Sequence, residues 1–293
     1  MGNEVSTRRK LDYDPKYHDW DKETAYKILL SGVESSGKTT IFKQTKIVFQ
    51  DGFDDEELRT YREIINHLLL ASFERINEAV EEEDDLVLNS LALNLESSSW
   101  KKFKSAMIEF YSKESFSPTL LALMHDKLFA DKVIAALLET TKIAFPNYLR
   151  SSAYLFQEMP RILSSDYVPS NRDILHAWRK TTGINGTTLL VDELPCRIVD
   201  IGGTRSERKK WINFFGSVST LVCCVPLGDY NKSFGYYTAS AEHNQVEESL
   251  VLFDALVRVR WFRRTQFILF LPKWTSWRNN CTRYCCLGSI LNV

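Results

Sequence analysis

A chain of 293 residues with 44% hydrophobic and 26% charged residues has the makeup of a soluble globular protein, long enough for two domains or one large one. Its formal net charge of −1 gives no reason to expect nucleic acid as a partner, and no apolar run reaches membrane-spanning length. The six cysteines (Cys196, Cys223, Cys224, Cys281, Cys285, Cys286) are unevenly spread and three fall in predicted core strands, which argues for free thiols in a reducing, cytosolic compartment.

In chain order, Met1-Gly2-Asn3-Glu4-Val5-Ser6 fits the N-myristoylation pattern with Gly2 as acceptor, and the basic cluster Arg8-Arg9-Lys10 follows. One acyl chain holds a protein only marginally at a bilayer, and a basic patch supplies a second attraction. The expected location is therefore the cytoplasmic face of the plasma membrane, or the cytosol without acylation; no secretory signal precedes the first strand. The rest of 1–25 is polar and aromatic, and Pro15 stops any long helix there.

The apolar run from Tyr26 reads as a buried strand and leads into Gly32-x-x-x-x-Gly37-Lys38-Thr39. Ile41, Phe42, Thr45 and Val48 then recur at helical spacing up to about Phe49. Strand, loop and helix in this order form a phosphate-binding unit. Glycines at the loop's ends permit a tight turn, so that the backbone N–H groups of Glu34, Ser35, Ser36, Gly37 and the helix start, through Thr40, face bound phosphate oxygens. Lys38 would reach the terminal phosphates, and the Thr39 hydroxyl would ligate magnesium.

From Asp54 the periodicity is helical. Leu58, Tyr61, Ile64, Ile65, Leu68, Leu69, Phe73, Ile76 and Val80 follow the i, i+3, i+4, i+7 rule and close on the acidic run Glu81 to Asp85. Helices are also expected at Ser98 to Lys113, Thr119 to Thr140 and Asn147 to Leu163. A stretch this long without a strand signal is the size of an independent helical domain. Strand signals return at Thr187 to Val191, Cys196 to Asp200, Leu221 to Leu227 and Gln266 to Leu271, with helices expected around Ser206 to Phe215 and His243 to Val259. Strands separated by helices imply a largely parallel sheet covered on both faces. The organisation that follows is an N-terminal segment at 1–25, an α/β domain in two parts at 26–53 and 167–271, an inserted helical domain at 54–166, and a tail at 272–293.

A second constellation sits where the strand Cys196-Arg197-Ile198-Val199-Asp200 runs into Ile201-Gly202-Gly203. A carboxylate at a strand's carboxyl end can hold magnesium through water, and a glycine just beyond lets a backbone N–H approach a γ-phosphate. With Lys180-Thr181-Thr182-Gly183 upstream and Arg205-Ser206-Glu207-Arg208-Lys209-Lys210-Trp211 downstream, the chain resembles the alpha subunits of heterotrimeric G proteins from about Tyr26 to Leu271. That resemblance implies a Ras-like P-loop GTPase domain with an all-helical insertion. It also implies GTP or GDP and Mg2+ as ligands, and a role as a nucleotide switch transducing signals from G protein-coupled receptors. It places Thr39 and Thr181 at magnesium-ligand positions, Asp200 behind the magnesium and Gly203 at the γ-phosphate. Arg205, Arg208, Lys210 and Trp211 fall on the surface that would meet a beta-gamma dimer.

Four departures from the family pattern touch the chemistry. Thr204 stands where the family's water-positioning glutamine would be, and cannot present an amide. Trp178 occupies the position of the catalytic arginine, with Arg179 one place along and expected to face away on an extended segment. Glu34 replaces a loop glycine and would set a carboxylate beside the γ-phosphate. Of the family's Asn-Lys-x-Asp base-reading motif, Pro272-Lys273-Trp274-Thr275 keeps only Lys273, so guanine preference should weaken by about 1.5 to 3 kcal/mol. The first three changes act on one transition state and together imply strongly impaired hydrolysis.

From Trp274 to Val293 the chain is expected to resemble nothing in the family, and the last strand and receptor-contacting helix the resemblance implies have no counterpart, which puts receptor coupling in question. The expected reading of this tail is an altered splice or frame. Three readings remain open at this point: a slow but working GTPase switch, a non-hydrolysing pseudo-GTPase that sequesters beta-gamma or an effector, and a truncated gene product that barely folds.

Overall fold

The computed structural model describes residues 26–82, 149–216, 218–229 and 245–273. Gly2, the expected acyl acceptor, with its basic cluster, the helices expected at Ser98 to Lys113 and Thr119 to Thr140, and the tail from Trp274 lie outside the described residues. The chain divides into two compact units, one drawn from 1–49 and 181–293 and the other from 50–180.

In the first unit, β1 (Tyr26–Gly32), β2 (Ile184–Val191), β3 (Leu194–Ile201), β4 (Thr220–Cys224) and β5 (Gln266–Phe270) form one sheet in the order β2-β3-β1-β4-β5. β1 pairs parallel with both β3 and β4, and β4 pairs parallel with β5. Only β2 runs antiparallel, joined to β3 by a hairpin. Its two turn residues, Asp192 and Glu193, have φ of 48° and 66°, the mirror-image turn that matches strand twist. An Asp-Glu turn carries no glycine signal, and β2 begins at Ile184 rather than at Thr187 as the sequence suggested.

The alternation of β1 divides the core. Leu29, Val199, Ile201, Leu221 and Cys223 face one side, where Trp211, Phe214, Leu256 and Phe262 cover them. Leu30, Leu189 and Ile198 face the other, against Ile41 and Phe42 of α1 (Lys38–Phe49). The covering elements on the first side are more broken than periodicity suggested. The single helix expected over Ser206 to Phe215 is a short α2 (Arg205–Arg208) followed by a 3₁₀ turn, Trp211–Phe214. Trp211 is drawn inward there, its Nε1 donating to Gly202 O at 2.9 Å. Likewise β4 ends at Cys224, not at Leu227, because Pro226 has no N–H for the ladder; a 3₁₀ turn, Leu227–Asp229, follows. The helix α3 (Gln245–Val257) then precedes β5.

The second unit contains α4 (Asp55–Glu82), a 28-residue helix opened by the Asp54 carboxylate, which accepts from the backbone of Glu56 and Glu57. The helix expected over Asn147 to Leu163 is two short ones, α5 (Ser152–Gln157) and α6 (Met159–Ile162). Pro160 lacks the N–H that a continuous helix would need. A final helix, α7 (Asn171–His176), starts in a capping box between Ser170 and Asp173. Asp173 is buried and takes two bonds from the Arg161 guanidinium, at 2.7 and 2.9 Å, and one from Tyr154 Oη at 2.6 Å.

Candidate functional site

The parallel pairing of β1 with β3, in register Leu30↔Asp200, brings the carboxyl ends of both strands out side by side. Clefts at such strand ends are where open α/β sheets bind ligands. The loop after β1 runs from Gly32 (φ 144°) to Gly37 (φ 98°), with Ser35 between them at φ 57°. A Cβ at Gly32 would lie 2.6 Å from Cys224 O, so the close strand contact itself requires glycine there.

Lys38 is the first residue of α1 and is only 4% exposed. Its Nζ donates to Val33 O at 2.6 Å, to Gly32 O at 3.1 Å and to Ser36 Oγ at 3.3 Å. Burial pushes its pKa down, and the neighbouring Asp200 carboxylate is the largest opposing influence. Glu34 is half-buried and weakly favours the charged lysine, while Thr40 is exposed on the first turn of α1. All three N–H donors of this ammonium are spent on the loop, so an anion at the helix start would be bound by exchanging one of these acceptors for an anionic oxygen.

Beside it is a cluster of oxygens. Thr39 Oγ1 donates to Asp200 Oδ2 at 2.6 Å and lies 2.8 Å from Thr181 Oγ1. Asp200 is fully buried, and its Oδ1 has no hydrogen-bond partner. Burial raises the Asp200 pKa, opposed first by the Thr39 hydrogen bond and then by Lys38 and Lys43. Lys43, one turn further along α1, is itself buried and pushed down to about 8 by burial, with Asp200 opposing. Two hydroxyls and an unsatisfied carboxylate oxygen make an all-oxygen donor set that fits a hard, small cation such as Mg2+, the remaining ligands being phosphate oxygens and water. Among the described residues there is no group of three or more His, Cys, Asp or Glu that could hold a metal.

The glycines after Asp200 are where two segments meet the loop. A Cβ on Gly203 would lie 2.6 Å from Lys38 Nζ and 2.7 Å from Gly32 O; one on Gly202 would lie 2.7 Å from Thr181 O. Glu207 Oε2 accepts from Gly183 N at 2.9 Å and both its oxygens take Lys210 Nζ, while Gly202 N donates to Gly183 O at 3.3 Å. The two segments that the sequence singled out, around 181 and around 203, are thus bonded to each other. Arg208 Nε donates to Gly203 O at 3.1 Å and its Nη1 pairs with Glu248 of α3 at 2.7 Å, where Arg205 also pairs.

Thr204 precedes α2, its Oγ1 3.1 Å from Ser206 Oγ. Trp178, half-buried, and Arg179, exposed, belong to the other compact unit. Lys273 Nζ donates to Ser35 O at 3.0 Å and meets Asp229 Oδ2 at 2.5 Å. Of the residues expected on a docking surface, Arg205 and Lys210 are exposed and Arg208 is half-buried. Trp211 is a correction: at 3% exposure it is part of the core, with its indole N–H spent on Gly202 O. Sequence reading passed over Lys43, Glu207, Glu248 and Asp229. Glu207 stands inside the 205–211 stretch but without an assigned role, and Lys43, Glu248 and Asp229 lie in no motif; tertiary contact ties each to the loop or its neighbours.

A family model described as the G-protein alpha subunit matches residues 6–283, which is wider at both ends than the 26–271 span read from the motifs and reaches into the tail expected to resemble nothing in the family. The guanine nucleotide-binding protein alpha-3 subunit of Mycosarcoma maydis is 36% identical over 250 residues, covering 84% of this chain and 67% of the relative. The alpha-2 subunit of Schizosaccharomyces pombe is 32% identical over 259 residues, covering 86% and 68%. A guanine nucleotide-binding protein subunit alpha of Cryptococcus neoformans is 33% identical over 268 residues, 90% of this chain but only 58% of the relative. The chain thus spans about two thirds or less of these relatives.

Proposed function

The chain belongs to the G-protein alpha subunit family, and from that premise we propose that it is a guanine nucleotide-binding switch protein that holds GTP or GDP with Mg2+ and hydrolyses GTP slowly. The observation that carries this reading is the convergence of Lys38, Thr39, Thr181, Asp200 and Gly203 at the carboxyl ends of β1 and β3, with the buried Asp200 Oδ1 unsatisfied. Main-chain N–H groups of 34–39 and the Lys38 ammonium would bind the phosphates. Thr39 and Thr181 would hold Mg2+ directly and Asp200 through water, and the metal would supply charge neutralisation between the terminal phosphates. Gly203 would offer its backbone N–H to the last phosphate, so that its presence is felt by Glu207 and, through it, by Gly183.

Hydrolysis depends on orienting a water and compensating charge on the phosphoryl group. Thr204 is too short to orient that water, Trp178 carries no charge, and the Glu34 carboxylate adds repulsion. These substitutions support slow turnover, and in the limit a pseudo-GTPase that signals by binding alone. Beta-gamma would dock on the exposed Arg205 and Lys210 of the 205–210 stretch, a receptor and effector would complete the signalling chain, and an acylated Gly2 would hold the protein at the cytoplasmic face of the membrane.

The test is uptake of labelled GDP and GTP by the purified chain and by Lys38→Ala, followed by single-turnover hydrolysis. Nucleotide retention lost in Lys38→Ala is expected. Equal retention by both chains would overturn the binding reading, and a turnover rate equal to that of the relatives would overturn the slow-hydrolysis reading.

A further inference from the structure

The turn after β5 bears on the phosphate loop at two points. Pro272 Cβ and Cγ lie 3.3 Å from where a Cβ on Gly37 would be, and Lys273, itself at φ 65°, donates its Nζ to Ser35 O. Ser35 is the loop's non-glycine residue in the left-handed region, and its buried Oγ has no hydrogen-bond partner. Among the described residues, the Lys273 ammonium is the side-chain donor to the carbonyl of that strained residue. The same Lys273 ammonium meets Asp229, which closes the 3₁₀ turn after β4 and is 1% exposed.

We propose that Asp229 is a positioning residue for polyphosphate binding: its buried carboxylate fixes the Lys273 ammonium on the Ser35 carbonyl and so keeps the phosphate loop in its binding shape. A lysine side chain is long and flexible, and a fully hydrated ammonium has little reason to stay on a single carbonyl. A charge-assisted bond to a carboxylate held away from water supplies that reason. The pairing also neutralises an anion that would otherwise stand near the phosphates. Because the brace acts on the loop and not on a base, it serves any nucleoside di- or triphosphate. It explains why Lys273 is useful in a chain that lacks the base-reading carboxylate two residues further on. The inference rests on the nucleotide-binding reading above.

The experiment measures release of fluorescent mant-GDP and mant-ADP from the full chain with Mg2+, for Asp229→Asn, Lys273→Met, the double variant and Asp229→Glu. Release about tenfold faster in each of the first two is expected, for both nucleotides alike, with the double no faster than either single. Asp229→Glu should recover most of the lost retention, which a purely structural defect would not do. Unchanged release in Asp229→Asn, or single effects that multiply in the double, would overturn the proposal. If Asp229→Asn fails to fold because it leaves the partly buried Lys273 ammonium unpaired, the double variant decides, since it removes both charges: release matching the parent overturns the proposal, release matching Lys273→Met upholds it. A parent chain that retains neither nucleotide overturns the nucleotide reading and this inference together, whereas a retentive parent with an indifferent Asp229→Asn overturns this inference alone.

Discussion

Gly203→Ala tests the site's geometry with one methyl group. The added Cβ would stand 2.6 Å from Lys38 Nζ, 2.7 Å from Gly32 O and 2.7 Å from Val33 C. A lysine tip can swing aside, but the other two atoms are backbone at the exit of the sheet's central strand. Ordinary contact begins near 3.4 Å, so the loop and the 203 segment must separate by several tenths of an ångström. Overpacking of this kind costs about 1–3 kcal/mol. The displaced atoms are the ones proposed to hold phosphate, so that cost should appear in nucleotide affinity, as a loss of about 5- to 150-fold. Equilibrium titration with mant-GDP and a non-hydrolysable mant-GTP analogue reads it directly, with the triphosphate expected to suffer more because Gly203 lies at the proposed position of its last phosphate. Urea denaturation in parallel separates global destabilisation from a local effect. Affinities within twofold of the parent for both nucleotides would refute the reasoning, since it would mean that the loop and the 203 segment are not in the contact described.

Three further outcomes follow from named contacts. Asp200→Asn removes the unsatisfied carboxylate behind Thr39, and the Mg2+ concentration needed for half-maximal triphosphate retention should rise about 10- to 100-fold; a magnesium titration that does not shift would exclude Asp200 from the cation site. Trp178→Arg combined with Thr204→Gln should raise single-turnover GTP hydrolysis on the order of 100-fold or more, if charge compensation and water positioning are what the chain lacks; an unchanged rate would show that the defect lies elsewhere. In the other unit, burial disfavours ionised Asp173, but hydrogen bonds from Arg161, Tyr154 and Ser170 outweigh it and hold the carboxyl well below the usual range. A depressed folded-state pKa stabilises the protein above the unfolded value near 4 and is lost as pH falls through the folded one, so the thermal midpoint should drop steadily below about pH 4. Asp173→Asn should cost about 2–3 kcal/mol at neutral pH, discounted because Arg161 is 41% exposed, and should flatten that acid limb; an unchanged acid limb would assign it to other carboxylates.

The local chemistry was legible in the residues themselves. Gly32 and Gly37 announce a tight turn because few other residues tolerate their φ, an apolar run before them can only be a buried strand, and Lys38-Thr39 completes a pattern whose spacing is set by phosphate geometry. The Asp200-x-Gly202-Gly203 stretch and the strand and helix alternation were readable for the same reason: they depend on neighbours within a few positions. What periodicity could not give was how those elements break or which distant atoms they meet. Pro160 and Pro226 were visible as letters, yet whether each ends an element depended on where the next hydrogen bond had to go. Trp211 reads as a surface residue in a basic stretch, but the apolar face left by β3 and β4 draws its ring inside. The parallel register of β1 with β3 placed Asp200 on Thr39 across 161 positions, and the end of β5 placed Lys273 between Ser35 and Asp229. Composition and spacing thus determined that this protein has the parts of a phosphate site. Only the assembled sheet decided which carboxylates and ammoniums stand together, because such pairings arise where backbone paths converge and leave no trace in the order of residues along the chain.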